Sequence, residues 1–181
     1  MLKHLHPRNL TMPNSMAWHE LEADIISACR KHEHLYKSLK DYRRCVAFET
    51  YFVKFDSYKS LRPQYETQEY LSRLAAGDQS APCIPRVYHF FKEAESPMAY
   101  MVMEYIEITI APDPDLPQKV AGALEWLRCV PAPSGVTIGC LGNGRARHAL
   151  FKNGKAPVLF SSVEALEKYL NTVRPCLFTC S

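Results

Sequence analysis

Three short stretches hold residues that could act together on a phosphate-bearing ligand. "YFVKF" carries Lys54, "YETQEYL" carries Glu66 and Glu69, and "AYMVMEYIE" runs from an apolar segment into Met103, Glu104, Tyr105 and Ile106. A lysine on a strand can hold the α- and β-phosphates of a nucleotide, a carboxylate on the next helix can fix that lysine, and a strand exit can offer backbone groups to a base. Each residue also has a plainer role. Lys54 can pack its stem and lift its tip to water, Met103 can be core, and Glu69 can pair with Arg73 one helical turn on, which makes Glu66 the preferred partner of Lys54.

The elements around these stretches follow from periodicity. Trp18, Leu21, Ile25 and Cys29 recur on one face from Ser15 onward and predict a helix. "RRCVAFETYFVKF" lacks Gly and Pro and predicts one long strand or two short ones. Along it Val46, Phe48, Thr50, Phe52 and Lys54 alternate with Cys45, Ala47, Glu49, Tyr51, Val53 and Phe55. A helix follows, with Pro63 in its first turn, Thr67, Leu71 and Leu74 as its stripe beside Tyr70, and Gly77 as its C-terminal cap. Strands are expected near Arg86 to Phe91 and from Met98 to Ile110. This order favours an antiparallel sheet with one helix against it.

Beyond "APDPDLP" a short helix carries Val120, Leu124 and Leu127, and the glycine-bearing "SGVTIGCLGNGRARH" is a loop or hairpin. Gly142, Gly144, Arg145, Arg147 and His148 could form an anion-binding turn, although loop geometry alone accounts for the glycines. Ser161 and Glu164 fit a capping box ahead of Val163, Leu166 and Leu170.

The composition of the 181 residues, 47% hydrophobic and 23% charged, is that of a globular chain. A net charge of +3 demands no strongly charged partner, although basic residues gather between Arg30 and Arg44 and again between Gly144 and Lys155. The seven cysteines (Cys29, Cys45, Cys83, Cys129, Cys140, Cys176 and Cys180) show no C-x-x-C pair, so reduced thiols are expected and a zinc site is not. With no leader pattern and no apolar run near the ~20 residues of a membrane span, a cytoplasmic protein is expected.

The stretches "FVKF … ETQEYL … PRVYHFF … AYMVMEYI" resemble the small lobe of the aminoglycoside phosphotransferase and choline kinase-like family, and more closely fungal kinase-like proteins. The likeness continues through "ALEWLRCVPAP", "GNGRARHALFK" and "PVLFSSVEALEKYLN" and spans residues 43–171. It implies an α+β kinase-like small lobe, antiparallel sheet plus helix, with a partial helical large lobe. The divisions expected are a lead-in at 1–14, the small lobe at 15–110, a hinge at 111–117 and the partial large lobe at 118–181. It further implies ATP as ligand, with Lys54 and Glu66 at the phosphates, Met103 beside the pocket, and backbone groups of Glu104 and Ile106 facing adenine.

The family's H-G-D-x-x-x-x-N catalytic loop and its later metal-binding aspartate are absent, and Asp115 is the last aspartate in the chain. No glycine precedes Lys54 to cradle phosphates. A base and Mg²⁺-holding carboxylates are what phosphoryl transfer needs, so no catalytic residue is expected, nor Mg²⁺ held by this chain alone. The function expected is that of a truncated or degenerate kinase-like protein, inactive alone, with weak ATP binding or a role in protein interaction or self-association. The rival readings are a fragment of an active ATP-dependent small-molecule phosphotransferase, and a basic nucleic-acid-binding or interaction protein drawing on Arg30 to Arg44.

Overall fold

The computed structural model describes residues 15–107, 113–133, 138–141, 144–149, 151 and 154–177. Helix α1 (Ser15–Tyr36) forms where the stripe Trp18, Leu21, Ile25, Cys29 requires it. The long β-rich run splits into β1 (Cys45–Phe48) and β2 (Tyr51–Ser57), joined by a tight turn in which Glu49 takes a φ of 50°. Helix α2 (Tyr58–Ala75), β3 (Val87–Lys92) and β4 (Met98–Glu104) follow. The four strands form an antiparallel sheet in the order β1-β2-β4-β3.

The turn at Glu49–Thr50 corrects the expected faces. Cys45 opposes Lys54, and Val46 opposes Val53. Residues directly opposite each other share a face, so Val46 and Phe48 lie with Tyr51 and Val53 and do not accompany Lys54. A single extended strand would have placed them with it. The reversal shifts the alternation because two residues are spent in the turn.

Both faces of the sheet are covered, where one covering helix was expected. Trp18, Ile25 and Cys29 of α1 meet Tyr51, Val53, Phe55, Tyr100 and Val102 on one face. Leu61 of α2 meets Ala99, Met101 and Met103 on the other, with Phe52, Tyr58, Tyr65 and Phe90 packed against them. Tyr65 stacks on Phe90 at 4.4 Å between ring centroids. Outside this core α1 is tied to the sheet by charge. Arg44 bridges Glu33 of α1 at 3.0 Å and Asp56 of β2 at 2.9 Å, and Arg30 pairs with Glu93.

Helix α2 starts five residues before Pro63, which therefore sits in the second turn and not the first. The early start is fixed from outside, since the Tyr58 N–H donates to the Pro97 carbonyl at 2.6 Å. Its end is not a glycine cap: Ala76 caps it in right-handed conformation and Gly77 keeps an ordinary φ. Strand β4 ends at Glu104, earlier than the expected Ile110, of which the last part lies outside the described residues.

Helix α3 (Leu116–Cys129) takes Pro117 into its first turn, so the last two residues of the expected hinge are helical. Of the two forms expected for the glycine-bearing stretch, loop or hairpin, the described residues show antiparallel pairing of β5 (Gly139–Cys140) with β6 (Gly144–Arg145). Gly139 is required there, because a Cβ would fall 2.1 Å from the Gly144 carbonyl oxygen. Helix α4 (Val163–Leu177) is capped by Ser162, one residue later than expected. Ser162 Oγ accepts from the Ala165 N–H at 3.2 Å, and Ala165 is the third helical residue. Leu166 and Leu170 of α4 pack on Phe151, Ala156 and Phe160 in a small separate core. Tyr70 of α2 donates to the Pro131 carbonyl at 2.6 Å and Trp126 of α3 donates to Asp78 at 2.7 Å. These bonds fasten the C-terminal elements to the sheet domain.

Helix α3 buries none of its residues, and Val120, Leu124 and Leu127 are 48%, 62% and 40% exposed. Leu61→Ala should thus cost about 3 kcal/mol by leaving a cavity under β4, whereas Leu124→Ala should change stability by less than about 0.5 kcal/mol. Urea denaturation of both variants checks the difference.

Burial, followed by the neighbouring Cys45 and Glu33, pushes the Cys29 thiol from its ordinary 9.0 up to about 12. The folded chain thus keeps a proton that the unfolded chain releases. The stability contributed by this group is fully present below pH 9 and is lost as pH rises from about 9 to about 12, with a limiting slope of about 1.4 kcal/mol per unit. Across that window wild type should lose stability more steeply than Cys29→Val in urea titrations; equal slopes would contradict the burial of a protonated thiol.

Candidate functional site

Strand β2 carries Lys54 on the face covered by α2. Lys54 opposes Met101 across the β2–β4 ladder, and Phe52 opposes Met103 two residues along. Alternation therefore brings Lys54, Phe52, Met101 and Met103 to one surface, with Lys54 half-buried and both methionines buried. Met103 belongs to the core cluster of Leu61, Ala99 and Met101.

The expected ion pair between Lys54 and Glu66 is not formed. Among the described residues Lys54 Nζ has no carboxylate within 4.0 Å. Glu66 accepts from Arg62 Nε at 2.8 Å, and Glu69 pairs with Arg73 at 3.6 Å. Both pairs are one helical turn apart on α2, a contact made within a single element, whereas reaching Lys54 requires a bond between elements. The competition that sequence spacing permitted for Glu69 also operates at Glu66, through an arginine that the sequence reading had not weighed.

At the strand exit the Glu104 N–H donates to the Arg86 carbonyl at 2.8 Å, and its carboxylate accepts from the Arg86 N–H at 3.2 Å. That leaves the Glu104 carbonyl and the following backbone as the groups a ligand could address. Ile106 is 39% exposed. Burial first, and then the Glu104 carboxylate, raises the proton affinity of the Cys83 thiol and the Tyr88 phenol beside this exit. Among the described residues no group of three or more His, Cys, Asp or Glu side chains is placed to hold a metal ion.

The suggested anion turn is a strand pair where it is described: Gly144 and Arg145 form β6, and Gly142 lies outside the described residues. Arg145 and His148 both have partners. Two surface grooves lie elsewhere. One, of about 320 Å³, runs between α2 and the C-terminal elements and is lined by Thr67, Tyr70, Leu71, Val130 and Ile138. The other, of about 500 Å³, lies at the C-terminal end of α1 and is lined by His32, Tyr36, Leu39, Tyr42 and Arg43 among others. Neither includes Lys54, Glu66, Met103, Glu104 or Ile106. Sequence reading marked the basic run of the second groove but not its aromatic lining; the signal was the spacing of His32, Tyr36 and Tyr42 within that run.

With Glu66 held by Arg62, Lys54 and Glu66 should behave as independent sites. A double-mutant cycle of Lys54→Met and Glu66→Gln should show a coupling below about 0.5 kcal/mol in chemical denaturation; a coupling of about 1 kcal/mol or more would mean the two are paired in solution.

No family model, no curated protein and no solved structure matches the chain, so its chemistry is argued from the residues and the sheet that presents them.

Proposed function

We propose that this chain is a truncated or degenerate kinase-like protein, of aminoglycoside phosphotransferase and choline kinase-like type, that on its own binds ligands and does not transfer phosphate. The observation that carries this reading is the placement of Lys54. A helix is inserted between the second and third strands of the sheet, and Lys54 lies on the face that this helix covers, beside Met101 and Met103 and near the strand exit at Glu104. That is the order of parts in a kinase-like small lobe.

The same geometry accounts for weak binding. Among the described residues no carboxylate holds Lys54 in place, which leaves its ammonium without advance orientation toward a phosphate. ATP fits this face in part, through Lys54 at the phosphates, Met103 beside the base and the carbonyl of Glu104 at the exit. Mg²⁺ does not fit, since the chain has no aspartate after Asp115 to supply the metal-holding carboxylate. The acceptor hydroxyl would likewise lack a base to receive its proton. The exposed apolar stripe of α3 supports protein contact or self-association as the accompanying role.

Calorimetry at high chain concentration tests the reading. ATP should bind with a Kd on the order of 1 mM, equally with and without Mg²⁺, and Lys54→Ala should abolish the heat. No phosphate should pass to aminoglycosides, choline or protein acceptors. Turnover that survives repurification and disappears in Lys54→Ala would overturn the non-catalytic assignment.

A further inference from the structure

The groove at the C-terminal end of α1 is built mainly on the end of the helix that covers the sheet face opposite Lys54 and on the residues that follow it, and it reaches the sheet at Cys45. Its floor is apolar and aromatic. His32 stacks on Tyr42 at 5.5 Å and meets Tyr36 at 5.0 Å. Of its lining residues Tyr36 and Leu39 are 44% and 58% exposed, and Leu35, next to Tyr36 in the chain, is 53% exposed, apolar surface that the fold itself does not bury.

Charge around this floor is unbalanced. Arg30 and Arg44 are neutralised by Glu93, Glu33 and Asp56. Lys31, Lys37, Lys40 and Arg43 have no carboxylate within 4.0 Å among the described residues, and against them stands the single unpaired carboxylate of Asp41. An apolar centre with a cationic rim is the anatomy of an interface for an acidic partner.

We propose that this groove docks an acidic peptide segment of a partner protein. An apolar side chain of the segment enters between Tyr36, Leu39 and Tyr42, and its flanking carboxylates meet Lys40 and Arg43. The surface favours peptide over single-stranded nucleic acid for two reasons. The aliphatic Leu39 is more exposed than the aromatic Tyr36, at 58% against 44%, and the His32 and Tyr42 rings are already stacked on each other, whereas bases need open aromatic faces.

Selection of a random peptide display library against the immobilised full chain tests this. Enriched peptides should pair apolar residues with Asp or Glu, and their affinity should fall as salt is raised. A synthetic winner should bind about tenfold more weakly to Leu39→Asp and to Lys40→Glu. Both positions are exposed, and circular dichroism melts verify that the variants fold. Val158→Asp, an exposed apolar position that lines neither groove, should leave binding unchanged. The proposal is overturned if nothing is enriched, if the winners are neutral or basic, if Val158→Asp weakens them as much as Leu39→Asp does, or if an oligothymidylate displaces them.

Discussion

Strand β4 is the element on which the remaining structure depends. It is hydrogen-bonded on both sides, to β2 and to β3, and its side chains alternate between two cores. Tyr100 and Val102 face α1, while Ala99, Met101 and Met103 face α2. A strand buried on both faces must be apolar throughout, and "AYMVM" is. Any polar residue within it would lack water on either side. Burial also reaches the Tyr100 phenol, which is held protonated well above its ordinary range, first by desolvation and then by the adjacent Glu93 that it bonds.

Doubly covered sheets constrain where a ligand can approach. The α1 face is closed by Trp18, Ile25 and Cys29, and the ladder register places Lys54 on the α2 face, half-buried and with no carboxylate partner among the described residues. Open surface is thereby left at the edges: the exit of β4 at Glu104, the groove beyond the end of α1, and the uncovered stripe of α3. Among the described residues no helix is long and apolar enough to cross a membrane.

Much of this was readable in the sequence where a residue's neighbours are local. The stripe of α1, the apolar run of β4 and the helical spacing of Leu166 and Leu170 each reflect one periodicity. What was not readable depends on pairing between elements or on short-range competition. The turn at Glu49–Thr50 contains no Asn-Gly or Asp-Gly signal, so the change of face it imposes stayed hidden. The start of α2 at Tyr58 is set by a bond to Pro97, 39 residues away in the chain. The carboxylate of Glu66 was visible as a partner for a cation, but the choice of Arg62 over Lys54 is decided by distance across elements. The stripes of α3 and α4 looked alike in sequence, yet only α4 finds a core, because Phe151 and Phe160 lie against it.

Backbone hydrogen exchange on a monomeric sample tests the organising role of β4 most directly. Amides of residues 99–103 and 51–57 should be the slowest in the chain and should exchange together, through global unfolding. Those of residues 118–129 should exchange at least about tenfold faster, since α3 buries no side chain. Equal protection of α3 and β4 would contradict a fold held together by the central strand.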